Sequence, residues 1–161
     1  MTITPEEKLR EYMHARGLKL SAAESCTGGL VADRITNIPG SSEYFMGGVV
    51  AYAYEAKVNL LGVSWDTLNT HGAVSEETVL EMARGARKVF DVDVAVSVSG
   101  IAGPGGGMPE KPVGLTWFGL STKNGEWARH FTWDGDRIKN KQFSAEAALQ
   151  FVIDYLEGKL E

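Results

Sequence analysis

Cysteine is nearly absent from this chain of 161 residues: Cys26 stands alone. No intrachain disulfide and no cysteine-rich metal site can form, and a single thiol suits a reducing compartment. Histidine is scarce too, with three residues, His14, His71 and His130. None has the spacing to other ligands that a metal site needs, so no metal is expected. Long hydrophobic runs are missing. No stretch approaches the roughly 18 apolar residues of a membrane helix. Glu6, Glu7, Lys8, Arg10 and Glu11 interrupt the first twenty positions, where a secretory signal would need an apolar core. Basic residues do not dominate: 16 Lys and Arg against 21 Asp and Glu give a net charge of −5. That balance argues against a general nucleic-acid binder while allowing a local cationic pocket for one phosphate. Repeats, low-complexity tracts and linkers are also lacking. A single soluble, cytoplasmic domain over 1–161 is expected, with neither membrane nor nucleic acid as a partner.

What the chain does have is glycine, 19 residues of it, placed between segments of clear periodicity. Thr4-Pro5-Glu6-Glu7 is a helix start and Gly17 a helix stop. Leu18 to Ala23 predicts a strand, and Leu30, Val31, Ala32 and Ile35 follow on helical spacing. Ile38 to Ser42 is a loop by composition. Gly48 to Tyr54 predicts a strand, followed by a helix from Glu55 to Leu61 ending at Gly62. Ser64 and Ser75 are N-cap candidates, and Asp93 to Ser99 is a β-branched strand. Lys123-Asn124-Gly125 joins two further strands as a hairpin. A last helix runs from about Asp136 to Leu156. Strands alternating with helices and closing on a hairpin predict an α/β fold, a three-layer α/β/α sandwich around a mixed sheet.

Three segments have the residue types that chemistry needs. Ser25, Cys26, Thr27, Gly28 and Gly29 form a turn between strand and helix, where backbone N–H groups can meet an anion; the alternative is a plain cap. Cys26 is either a packing residue or a nucleophile, and no histidine lies near it in sequence. The second segment runs from Ser42 through Tyr52 to Lys57. A serine needs a base to attack, a desolvated lysine can be that base, and a tyrosine can relay the proton. The alternative makes Ser42 a turn cap, Tyr52 a sheet residue and Lys57 a solvated helix residue. The third is the loop Ser99, Gly100, Ile101, Ala102, Gly103 and onward to Gly107, which either exposes bare backbone to a ligand or is a mobile surface loop. Arg137, opening the last helix, is either a phosphate clamp or a solvated residue.

Together these segments resemble the C-terminal domain of the CinA family, found also as stand-alone nicotinamide-nucleotide amidases of the PncC type. The likeness rests on Ala23 to Gly29, Pro39 to Ser42, Gly48 to Tyr52 with Glu55-Ala56-Lys57, His71 to Glu77, Ser99 to Gly107, Glu110 to Gly114 and Gly135 to Arg137. It implies hydrolysis of nicotinamide mononucleotide to nicotinic acid mononucleotide and ammonia. It also implies a catalytic constellation of Ser42, Tyr52 and Lys57, and a substrate pocket lined by the two glycine-rich segments. No cofactor is expected, and a homo-oligomer is. One departure stands out: the family's Tyr-Ser-Asn-Glu-Ala-Lys reads Tyr52-Ala53-Tyr54-Glu55-Ala56-Lys57 here. The catalytic candidates survive that change, and a catalytically inactive nucleotide-binding module is the rival reading.

Overall fold

The computed structural model describes residues 2–160. Helix α1 (Pro5–Arg16) begins where the sequence predicts it. The Thr4 hydroxyl accepts from the Glu7 N–H, the Glu7 carboxylate accepts from the Thr4 N–H, and Gly17 closes the helix in the left-handed conformation. β1 (Leu20–Glu24), β2 (Phe45–Val50) and β3 (Val94–Gly100) are parallel, with α2 (Leu30–Thr36) between the first two. The helices α3 (Tyr54–Leu61), α4 (Trp65–His71) and α5 (Glu76–Phe90) connect β2 to β3. The hairpin of β4 (Leu115–Thr122) and β5 (Gly125–Thr132) then adds two antiparallel strands, and α6 (Arg137–Leu156) closes the chain. The strand order is β2-β1-β3-β4-β5.

Apolar side chains cover both faces of the sheet. Leu9, Met13, Val31, Ile35, Leu149 and Phe151 bury the α1, α2 and α6 side. Leu61, Leu68, Met82 and Ala86 bury the α3, α4 and α5 side. The result is the three-layer α/β/α sandwich. β1 lies in the interior and is buried along its whole length, as a parallel strand covered on both faces must be. Gly85 of α5 lies where a Cβ would run into the Leu61 carbonyl, so the bare residue lets α3 and α5 meet backbone to backbone. Among the described residues no helix is long and apolar enough to cross a membrane.

One boundary differs from the sequence reading. The strand expected over 48–54 runs instead from Phe45 to Val50, and Tyr54 already belongs to α3. Gly47, left outside the expected strand, pairs with Ser21 of β1, and Gly48 with Ala22. Beyond Val50 the chain keeps one more sheet-like bond, Ala51 N–H to the Glu24 carbonyl at 2.8 Å, and then turns into α3.

Candidate functional site

Because β1, β2 and β3 are parallel, their C-terminal ends lie side by side at Glu24, Val50 and Gly100. Ligand clefts of open α/β sheets form at such ends. A cavity of ≈ 190 Å³ opens there, lined by Ser25, Cys26, Tyr52, Lys57, Ser99 and Arg137 among others. It gathers candidates from all three sequence segments.

Its floor is Lys57, only 1% exposed although it belongs to an outer-layer helix. The side chain folds back beneath the turn into α3. Its Nζ lies 2.9 Å from Ser25 Oγ and 3.0 Å from each of the Ala51 and Tyr52 carbonyl oxygens. Burial lowers its pKa from the ordinary 10.5 to about 8, because a charge out of water is disfavoured. A neutral amine has two hydrogens and one lone pair. With the hydrogens directed at two carbonyls, the lone pair is left for the Ser25 hydroxyl.

Ser42 is not part of this group. It is exposed in a short 3-10 turn, Ser41–Glu43, before β2 begins. There the Leu20 N–H bonds the Tyr44 carbonyl at the N-terminal end of β1, whereas Ser25 follows its C-terminal end. β1 alone separates them by about 13 Å at the ordinary strand rise. The pairing expected between Ser42 and Lys57 is therefore replaced by one between Ser25 and Lys57.

Tyr52 is at the site, but not between serine and lysine. Its carbonyl holds Lys57, while its ring is 63% exposed and its hydroxyl is 3.3 Å from Arg137 Nη2. The other end of the Arg137 guanidinium donates to the Gly103 carbonyl at 2.7 Å. Asn140 of α6 donates to the Ala102 carbonyl, and the Ile101 N–H bonds Leu115. The loop after Ser99 is thus pinned to α6 and β4. Gly100 and Gly103 are bare because a Cβ would press on Thr116 and Val113.

The turn after β1 departs further from expectation. Glu24, 1% exposed, directs its carboxylate into the start of α2 and accepts from the N–H groups of Gly29, Val31 and Ala32 and from the Thr27 hydroxyl. The Gly28 N–H bonds the Ser25 carbonyl and the Leu30 N–H that of Thr27. The amides expected to meet an external anion are occupied by the chain's own. No distinctive spacing marks Glu24 in the sequence; its role follows from being the last residue of a buried strand beside a helix start. Cys26 lines the cavity at 8% exposure, and burial pushes its thiol up to about 12. A thiol held protonated is a poor nucleophile.

An open five-stranded α/β/α sheet with a serine and a buried lysine at its strand ends is the class that fold and site define. The family model described as the CinA C-terminal domain matches residues 3–156, and the chain belongs to that family. It is 50% identical over 158 residues to a CinA-like protein of Chloroherpeton thalassium, covering 95% of this chain and 37% of that one. A CinA-like protein of Kosmotoga olearia is 49% identical over 147 residues, 91% of this chain and 36% of that one. The chain spans little more than a third of the length of these curated relatives. Among solved structures, the competence/damage inducible protein CihA from Agrobacterium tumefaciens superposes with a TM-score of 0.87 at 41% identity, covering 98% and 99% of the two chains. A CinA superfamily protein from Klebsiella pneumoniae gives 0.92 at 32% identity, with 96% of each chain covered.

Proposed function

We propose that the protein is a serine amidohydrolase that removes the carboxamide nitrogen of a small pyridine nucleotide, converting nicotinamide mononucleotide to nicotinic acid mononucleotide and ammonia. The observation that supports this best is the buried Lys57 Nζ, 2.9 Å from Ser25 Oγ, with its hydrogens directed at the Ala51 and Tyr52 carbonyls. The choice of substrate comes from the family likeness.

In the first step Ser25 Oγ attacks the carboxamide carbon while its proton passes to Lys57 Nζ. The oxyanion so formed needs donors. The Gly28 and Gly29 amides are occupied, and the reading gives the oxyanion to the Cys26 and Thr27 N–H groups, next along the chain from Ser25. The C–N bond then breaks, Lys57 returns the proton to the leaving nitrogen, and ammonia departs. Water attacks the acyl-serine ester, giving a proton to Lys57. The C–O bond to Ser25 breaks, and the lysine reprotonates the serine.

The test is ammonia release from nicotinamide mononucleotide, with nicotinic acid mononucleotide formed one for one. Lys57→Met, which keeps the side chain's volume, should lower kcat by about 10²–10⁴-fold with the fold intact. A purified wild-type protein that releases no ammonia overturns the reading and leaves a nucleotide-binding module in its place.

A further inference from the structure

A substrate with a phosphate needs a cationic seat, and the helix start that sequence reasoning offered is filled by Glu24. A second recess, of ≈ 420 Å³, is built on the residues that come next along the same turn. It is lined by Thr27, Gly28, Gly29, Asp33, Ile138 and Lys141 among others. Lys141 comes from α6, one turn after Arg137, and residues four apart share a helix face. The two recesses are thus spanned by two short stretches of chain. Along Ser25–Gly29 the path leads from the reactive serine to bare backbone, and along α6 it leads from Arg137 to Lys141.

The charges on this face are uncommitted. Lys8, Arg34, Arg84, Arg129 and Lys159 all pair with carboxylates. Among the described residues Arg137 donates only to a carbonyl and a phenol, and Lys141 forms no ion pair. Among the described residues Asp33 is the one carboxylate lining the recess. The Asp136 carboxylate is turned to the Lys139 N–H as the helix cap. Gly28, at φ +61°, lies beside Lys141: a Cβ there would stand at ordinary contact distance, 3.7 Å, from its Nζ.

We propose that Arg137 and Lys141, across the bare backbone of Gly28, form the seat for the substrate's phosphate and so set the preference for a nucleotide over a nucleoside. The carboxamide end then lies at Ser25 and the phosphate end over Gly28. Thr27 takes no direct part, since its hydroxyl donates to Glu24 at 2.6 Å. The substrate named here rests on the amidase reading, but the seat is tested by binding alone.

The experiment is calorimetric binding of nicotinamide mononucleotide and nicotinamide riboside to the wild type and to Lys141→Met, Lys141→Arg and Lys139→Met, beside kcat/KM for both compounds. Wild type should bind the mononucleotide far more tightly than the riboside. Lys141→Met should weaken mononucleotide binding by about tenfold or more, as the loss of one charge-assisted bond does, and leave riboside binding unchanged. Lys141→Arg should retain most of the affinity. Lys139→Met, which removes an equal charge from an exposed position, should change neither. Equal affinity for the two compounds, or a loss on Lys141→Met shared equally by both, overturns the seat even if the amide is hydrolysed. Discrimination without ammonia release keeps the seat and overturns the amidase.

Discussion

Burial holds Lys57 at a pKa of about 8 instead of the ordinary 10.5, and only its neutral form accepts a proton. The rate kcat/KM for nicotinamide mononucleotide should therefore rise with pH and level off above a midpoint near 8. A flat profile from pH 6 to 9 would separate Lys57 from proton transfer. The same shift makes a statement about stability. Below pH 8 the lysine is charged in both folded and unfolded chains, and its burial counts against folding in full. Between about 8 and 10.5 the folded chain has released the proton while the unfolded chain keeps it, so stability gains as pH rises. Lys57→Met removes that dependence. The Tm of the variant minus that of the wild type should fall between pH 7 and pH 10, as read by thermal unfolding across that range. At this scale much was legible: Ser25, Tyr52, Lys57 and Arg137 all line one cavity. What the sequence could not assign was which serine meets the lysine, because two hydroxyl-bearing turns stand at either end of the intervening chain.

Helix α2 illustrates how an element closes a site as well as building one. Its seven residues are too few to be stable alone, and its N-cap, Gly29, has no side chain to offer. Glu24 supplies the missing acceptor from the end of β1. Glu24→Ala would strand several N–H groups near a buried helix start, at a cost of about 3 kcal/mol or more. For a domain of this size that is a fall in Tm of roughly 6–12 °C. Activity should fall as well, since Ser25 is the next residue. A Glu24→Ala protein of unchanged Tm would show that the carboxylate does not hold α2. Cap chemistry is readable where cap and helix adjoin, as at Thr4, Ser64 and Ser75. It was not readable here, because the cap comes from a strand residue outside the usual position. The β2 start differs for a related reason: Gly47 has little strand propensity of its own, and its pairing with Ser21 of β1 is tertiary.

For the whole molecule, the parallel arrangement of β1, β2 and β3 decides what becomes a neighbour. Ser42 and Lys57 are 15 positions apart and Ser25 and Lys57 are 32 apart, yet the sheet joins the more distant pair. β2 carries the chain from one end of the sheet to the other, so residues before it and after it lie on opposite sides. The alternation of strands and helices made the α/β/α sandwich legible. Strand order was not, because nothing local in the sequence states that β1 lies between β2 and β3. Had that adjacency been known, the serine following β1 and the lysine following β2 would have been the natural pair.

The hydroxyl that meets Lys57 Nζ is that of Ser25, at 2.9 Å, and not that of Ser42. Ammonia release from nicotinamide mononucleotide by Ser25→Ala and Ser42→Ala, measured side by side on folded protein, tests that pairing most directly. Ser25→Ala should lose activity by about 10³-fold or more, and Ser42→Ala should keep turnover within about twofold of the wild type. Inactivation by Ser42→Ala with Ser25→Ala still active would make Ser42 the nucleophile instead.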